Sequence, residues 1–179
     1  MKSTIILVTF LSLALLSFSS IAQDEGLELR KSFPIQVYMG TCVVGRADPK
    51  NVAKLAKEKG FSKAPKKVSK NYLSGNKGKV WHLKNNEGEF AISVLKNGLC
   101  SVFVHQGIPE QLKASMESWL PPKNVGFSYE TEESEKNGLT TTVYKLYRGK
   151  NFLEQWVITL AEDSVSGVVA IMSYNAPKA

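Results

Sequence analysis

Two histidines, two cysteines and a scatter of carboxylates are the residues of this chain with chemistry to offer. His82 and His105 lie 23 positions apart, each in an alternating, strand-like stretch with no carboxylate at hairpin-adjacent spacing to orient it. A Ser-His-Asp site needs three residues that meet in space, and no Gly-x-Ser-x-Gly elbow marks a nucleophile. Zinc wants three or four His, Cys or carboxylate ligands at local spacings, and these residues are too dispersed. Glu130, Glu132, Glu133 and Glu135 cluster, but without the Asp/Asn-rich, Gly-turned loop that shapes a calcium site. They read as a solvated hairpin arm. Glycoside hydrolysis needs two carboxyl groups about 5 to 10 Å apart. Glu110 and Glu117 read as water-facing on one helix. Glu154 alternates with Phe152, Trp156 and Ile158, so it points inward, but alone. Gly75-Asn76-Lys77-Gly78 lacks P-loop spacing. These residues assign no catalytic site, no metal site and no cofactor.

The distinctive chemistry is charge. The chain of 179 residues has a formal net charge of +7. Between Arg46 and Lys84 twelve basic residues stand against Asp48 and Glu58, a net of +10, whereas Asn85 to Ala179 holds eight basic and eleven acidic residues, a net of −3. Lys50, Lys54 and Lys57 share one helical face in this segment and are the expected binding residues for an acidic partner. Lysine rather than arginine dominates, which favours diffuse attraction over bidentate recognition. Few aromatics interleave with these lysines, so nucleic acid is a poor fit. The competing interpretation is a solvated face that serves solubility alone.

The N-terminus places this charge in a compartment. Lys2 precedes an apolar run from Ile5 to Leu16, and Ser20-Ile21-Ala22 supplies the small-x-small end of a cleavable signal peptide. Cleavage is expected after Ala22, leaving a single domain from Gln23 to Ala179, in the periplasm or secreted. The apolar run is shorter than the roughly 20 residues that span a bilayer, and no later stretch is long enough. Both cysteines, Cys42 and Cys100, fall in the mature part. An even count in an oxidising compartment predicts a disulfide. A nucleophilic cysteine is the alternative, but neither has a His, Lys or Asp beside it.

The elements that must position these residues follow from periodicity. Asp24 to Lys31 reads as a loose leader. Ser32 is expected to cap a helix with Pro34 in its first turn, and Ile35, Tyr38, Met39 and Cys42 form one helical face. Asp48 caps a second helix with Pro49 at its first position, Val52, Leu55 and Ala56 as its apolar stripe, and Gly60 as its stop. Ser62 to Lys79 reads as a long basic loop. Strands are expected at Val80–Lys84, Phe90–Lys96 and Leu99–His105, with Asn97-Gly98 as a tight turn. Pro109 opens a third helix with Leu112, Met116, Trp119 and Leu120 as its core stripe. Four more strands are expected at Val125–Thr131, Leu139–Tyr147, Phe152–Ala161 and Gly167–Tyr174. The fold class is α+β: two N-terminal helices, then a mainly antiparallel sheet of about seven strands interrupted by one helix.

Cys42, Ala47-Asp48-Pro49, Gly60, Trp81 and Gly98-Leu99-Cys100 together resemble a family of small uncharacterised exported proteins of Gram-negative bacteria. The resemblance covers roughly Cys42 to Cys100 and implies a disulfide-bonded periplasmic domain; it brings no activity and no functional residue. The functional expectation is a non-enzymatic periplasmic binding module. An inhibitor, a toxin-immunity protein or an envelope-associated protein fits, with an acidic protein or anionic envelope component as partner. The rival is an envelope-directed hydrolase using Glu154 or a histidine.

Overall fold

The computed structural model describes residues 28–122, 125–162 and 167–175. The signal peptide and its cleavage point lie outside these residues, as does Ser166 of the last expected turn. Of the leader expected to be loose, residues 28–31 form a turn of helix.

One antiparallel sheet dominates. Its strands are β1 (Ser62–Lys63), β2 (Gly78–Asn85), β3 (Gly88–Leu95), β4 (Leu99–Val104), β5 (Phe127–Lys136), β6 (Leu139–Arg148), β7 (Asn151–Ala161) and β8 (Ala170–Asn175). They are ordered β1-β2-β3-β4-β8-β7-β6-β5. The α+β class and the antiparallel pairing are as expected. The final strand slots between β4 and β7 and joins two meanders that turn signals alone would leave separate.

The sheet is flanked by α1 (Phe33–Tyr38), α2 (Pro49–Glu58), α3 (Lys66–Leu73) and α4 (Pro109–Glu117). Side chains alternate across a strand, and the two faces are covered differently. Trp81, Phe90, Ile92, Val102, Trp156 and Met172 form the main core with Ile35 and Tyr38 of α1, Val52 and Ala56 of α2, and Leu112 and Met116 of α4. On the opposite face Val80 and Ala91 pack with Tyr72 and Leu73 of α3.

The first helix widens into a π-helical turn, Met39–Val43, which carries Cys42. The bridge to Cys100 of β4 is formed, with the Cα atoms 5.4 Å apart. Gly45 follows, where a Cβ would sit 2.4 Å from the Thr41 carbonyl oxygen and 2.8 Å from Val52; only glycine lets this turn approach α2 so closely. Arg46 and Ala47 then both adopt left-handed backbone, each with φ of 52°. Asp48 caps α2 as expected, its carboxylate accepting from the Lys50 and Asn51 amides at 3.0 and 2.9 Å. Gly60, at φ of 83°, ends it, and the Phe61 amide turns back to the Ala56 carbonyl at 2.9 Å.

Four expectations are corrected. Ser32 makes no side-chain cap bond, because Pro34 at the second helical position lacks one of the two N–H groups a cap would reach. Ser62 to Lys79 is not a loop: it contains β1 and α3, which brings the sheet to eight strands. Trp119 lies past the end of α4, 37% exposed, with the Arg30 guanidinium 5.8 Å above its ring rather than in the core. The fourth concerns β5, which runs on through all four clustered glutamates as an exposed edge strand. Among the described residues no helix is long and apolar enough to cross a membrane.

Candidate functional site

The basic segment does not fold into one patch. From α2 the chain passes through β1, at the sheet's edge, and re-enters the sheet through α3 on the other face. Its lysines are therefore divided between two surfaces. Lys50, Lys54 and Lys57 lie exposed along α2, where Lys54 is within 4.0 Å of the Glu58 carboxylate. None of the three lines the groove beside α3.

The second surface is concave. A groove of about 760 Å³ opens between α3, β1 and the start of β2. Its lysines are Lys63, Lys66, Lys70, Lys77, Lys79 and Lys96, and no carboxylate lines it. None of the six pairs with a carboxylate among the described residues. Beneath them lie the buried Ala64 and Val80 and the partly buried Leu73. Lysine stems are themselves apolar, so the site combines an apolar floor with a cationic rim.

Local chemistry fixes its shape. The Ala64 amide bonds the Val80 carbonyl at 2.9 Å, continuing the β1–β2 pairing. Pro65 precedes α3, whose first turn holds Lys66 and Lys67 and no acidic residue. Cations at a helix N-terminus oppose the macrodipole, so α3 begins in an electropositive environment. At the other end Ser74 and Gly75 turn left-handed, with φ of 45° and 78°, and the Asn76 side chain donates to the Leu73 carbonyl at 3.1 Å. The Lys96 amide bonds the Lys77 carbonyl at 2.9 Å and draws the β3 exit to the β2 entry.

Tyr72 pins α3 to the sheet. Its hydroxyl lies 3.0 Å from His105 Nε2, and its ring packs edge-on against Phe103 at 4.9 Å between centroids. Burial, reinforced by Glu89, raises the Tyr72 phenol above its usual range. His105 thus has the partner that sequence inspection did not find, because that partner arrives from a helix read as loop.

Glu154 does point inward. Its Oε1 accepts from Trp156 Nε1 at 3.0 Å; its Oε2 accepts from the Tyr174 hydroxyl at 3.0 Å and from Arg46 at 3.2 Å. Burial, with Glu154 alongside, holds the Tyr174 phenol well above its normal range, so it remains a donor. The left-handed turn at Arg46 delivers the guanidinium to this carboxylate, and both oxygens are engaged by the protein itself. Glu110 and Glu117 are exposed on α4, and with Glu162 and Lys113 they border a cavity of about 620 Å³. Glu117 accepts from the Tyr144 hydroxyl at 2.6 Å.

The groove escaped sequence reasoning because three lysines of α3 mask its stripe. The usable signal was Val68, Tyr72 and Leu73 at helical spacing between Pro65 and Gly75. No family model, curated protein or solved structure matches the chain.

Proposed function

We propose that this domain is a non-enzymatic binding module of the bacterial envelope that holds an anionic partner against its basic surface, chiefly in the α3 groove. One observation carries the reading: six lysines line a concave site in which, among the described residues, no carboxylate neutralises them. Collecting like charges around a cavity raises the local concentration of an anion and speeds its association. The disulfide supports an oxidising, exported setting, as the leader pattern does. Export makes an anionic envelope component the partner that such a groove meets first. The engagement of both Glu154 oxygens by Arg46, Tyr174 and Trp156 favours binding over hydrolysis at that residue.

The test is sedimentation of the mature protein with vesicles containing phosphatidylglycerol, against vesicles of phosphatidylcholine alone. Binding should require the anionic lipid and weaken steeply with salt, because exposed charges are screened beyond about 8 Å at physiological ionic strength. Replacing Lys66, Lys70 and Lys77 together by Gln should weaken it by about 100-fold, at roughly 1 kcal/mol per lysine near an anionic surface. The same change at Lys50, Lys54 and Lys57 should cost less than tenfold. A larger loss from the α2 triple would move the site to that helix, and salt-independent binding would overturn the electrostatic reading.

A further inference from the structure

The groove is not only cationic. Polyanions such as acidic polypeptides need charge along a surface and gain nothing from an apolar floor. Here the partly buried Leu73 and the apolar stems of the lysines line the groove, and the buried Ala64 and Val80 close its base. A volume of about 760 Å³ lies within the roughly 300–1,000 Å³ of small-ligand sites. Resting on the anionic-partner reading, we infer that the groove takes a single anionic amphiphile: a lipid whose phosphate or carboxylate head meets the lysines while the start of its chain lies on the Ala64–Leu73–Val80 floor.

The charge pattern matches such a ligand. Lys66 and Lys70 stand one turn apart on α3, and Lys77 and Lys96 are brought together where β2 begins and β3 ends. An anionic head is thereby flanked from the helix side and from the strand side. The floor between them is built by side chains of the smaller core, which Tyr72 and Phe103 complete. That core exists before any ligand arrives, so a chain entering the groove lies against Leu73 and the lysine stems without needing the fold to open.

A series of alkyl phosphates, each below its micelle-forming concentration, tests this by calorimetry on the mature protein. Inorganic phosphate should bind weakly and butyl, hexyl and octyl phosphate progressively tighter, by up to about threefold to fourfold per added methylene, the ratio expected for a buried CH₂. Leu73→Ala, which trims the floor and touches no lysine, should weaken octyl phosphate several-fold and leave inorganic phosphate unchanged. The Lys66, Lys70 and Lys77 triple Gln variant should weaken every member by a similar factor. Equal affinity across the series, with salt-dependent binding retained, would overturn the amphiphile and leave the anionic groove standing. Failure of the whole series and of anionic vesicles would overturn both.

Discussion

The sheet has two edges, and they handle charge in opposite ways. At one end β5 is ten residues long and exposed along most of its length. Three of its four carboxylates are answered from within: Glu130 by the Tyr147 hydroxyl, Glu132 by Lys145, and Glu133 by Lys113 and Thr142. At the other end β1 is two residues long and its neighbourhood holds six lysines with no answering carboxylate. Both arrangements discourage edge-to-edge aggregation, one by charge and one by brevity. The charged lining of the groove beside the second is all lysine among the described residues, whereas the cavity of about 620 Å³ near the first mixes Glu110, Glu117 and Glu162 with Lys113. A cluster of like charges is therefore weak evidence for function by itself; what distinguishes the basic edge is that none of its groove lysines pairs with a carboxylate among the described residues.

The most severe way to challenge the comparison is to remove what holds the basic half together. Cys42→Ala with Cys100→Ala should lower unfolding free energy by about 4 kcal/mol on the chain-entropy account of a loop this long. The bridge joins the π-helical turn to β4, midway along the sheet. Both edges should therefore melt in one urea transition at a lower midpoint. A split transition, with the basic edge lost first, would show that the edges are separately supported. A loss under about 1 kcal/mol would refute the bridge as a principal constraint.

A milder change sharpens the contrast. Tyr72→Phe removes the hydroxyl that meets His105 but keeps the ring against Phe103. It should cost about 1 kcal/mol, the usual net worth of such a bond. The effect should be local, with faster amide exchange across Lys66–Leu73 and none across β5. Uniform acceleration through the sheet would mean that α3 is coupled to the whole fold rather than docked on one edge.

How legible each edge was in the sequence follows from what its residues bury. Asp48, Pro49 and Gly60 announced α2 because capping chemistry is local, and Cys42 and Cys100 announced their pairing because compartment and count sufficed. Strand patterning revealed β2, β3 and β4 because apolar residues mark their covered positions and Asn97-Gly98 marks the turn between the last two. It understated β5 because an edge strand wet on both sides has no apolar alternation to read. It missed α3 because an eight-residue helix with three lysines fully buries no residue and only half-buries Tyr72 and Leu73 against the sheet. Lys50, Lys54 and Lys57 were read as the centre of the basic surface because linear spacing cannot show that the chain wraps an edge. That wrapping, and the insertion of β8 between β4 and β7, depend on contacts between residues far apart in sequence.

The smallest expected effect concerns acid. Lys113 donates to Glu133 and, with a further bond from Thr142, holds this carboxyl below its ordinary value of 4.5. A carboxyl lowered in the folded state contributes stability that is complete above its unfolded pKa and is lost as pH falls through the folded value. The window therefore opens near the ordinary carboxylate range and extends below it. Because the pair is exposed, the contribution to global stability should be slight; the site-specific titration is the sensitive measure. Carbon-13 NMR of the Glu133 side chain should give a midpoint below 4.5, and Lys113→Met should raise it towards that value. Acid should thus loosen the tie between α4 and β5. An ordinary Glu133 midpoint in the unaltered protein would show that the acidic edge is not internally neutralised, and the contrast between the two edges would lose its basis.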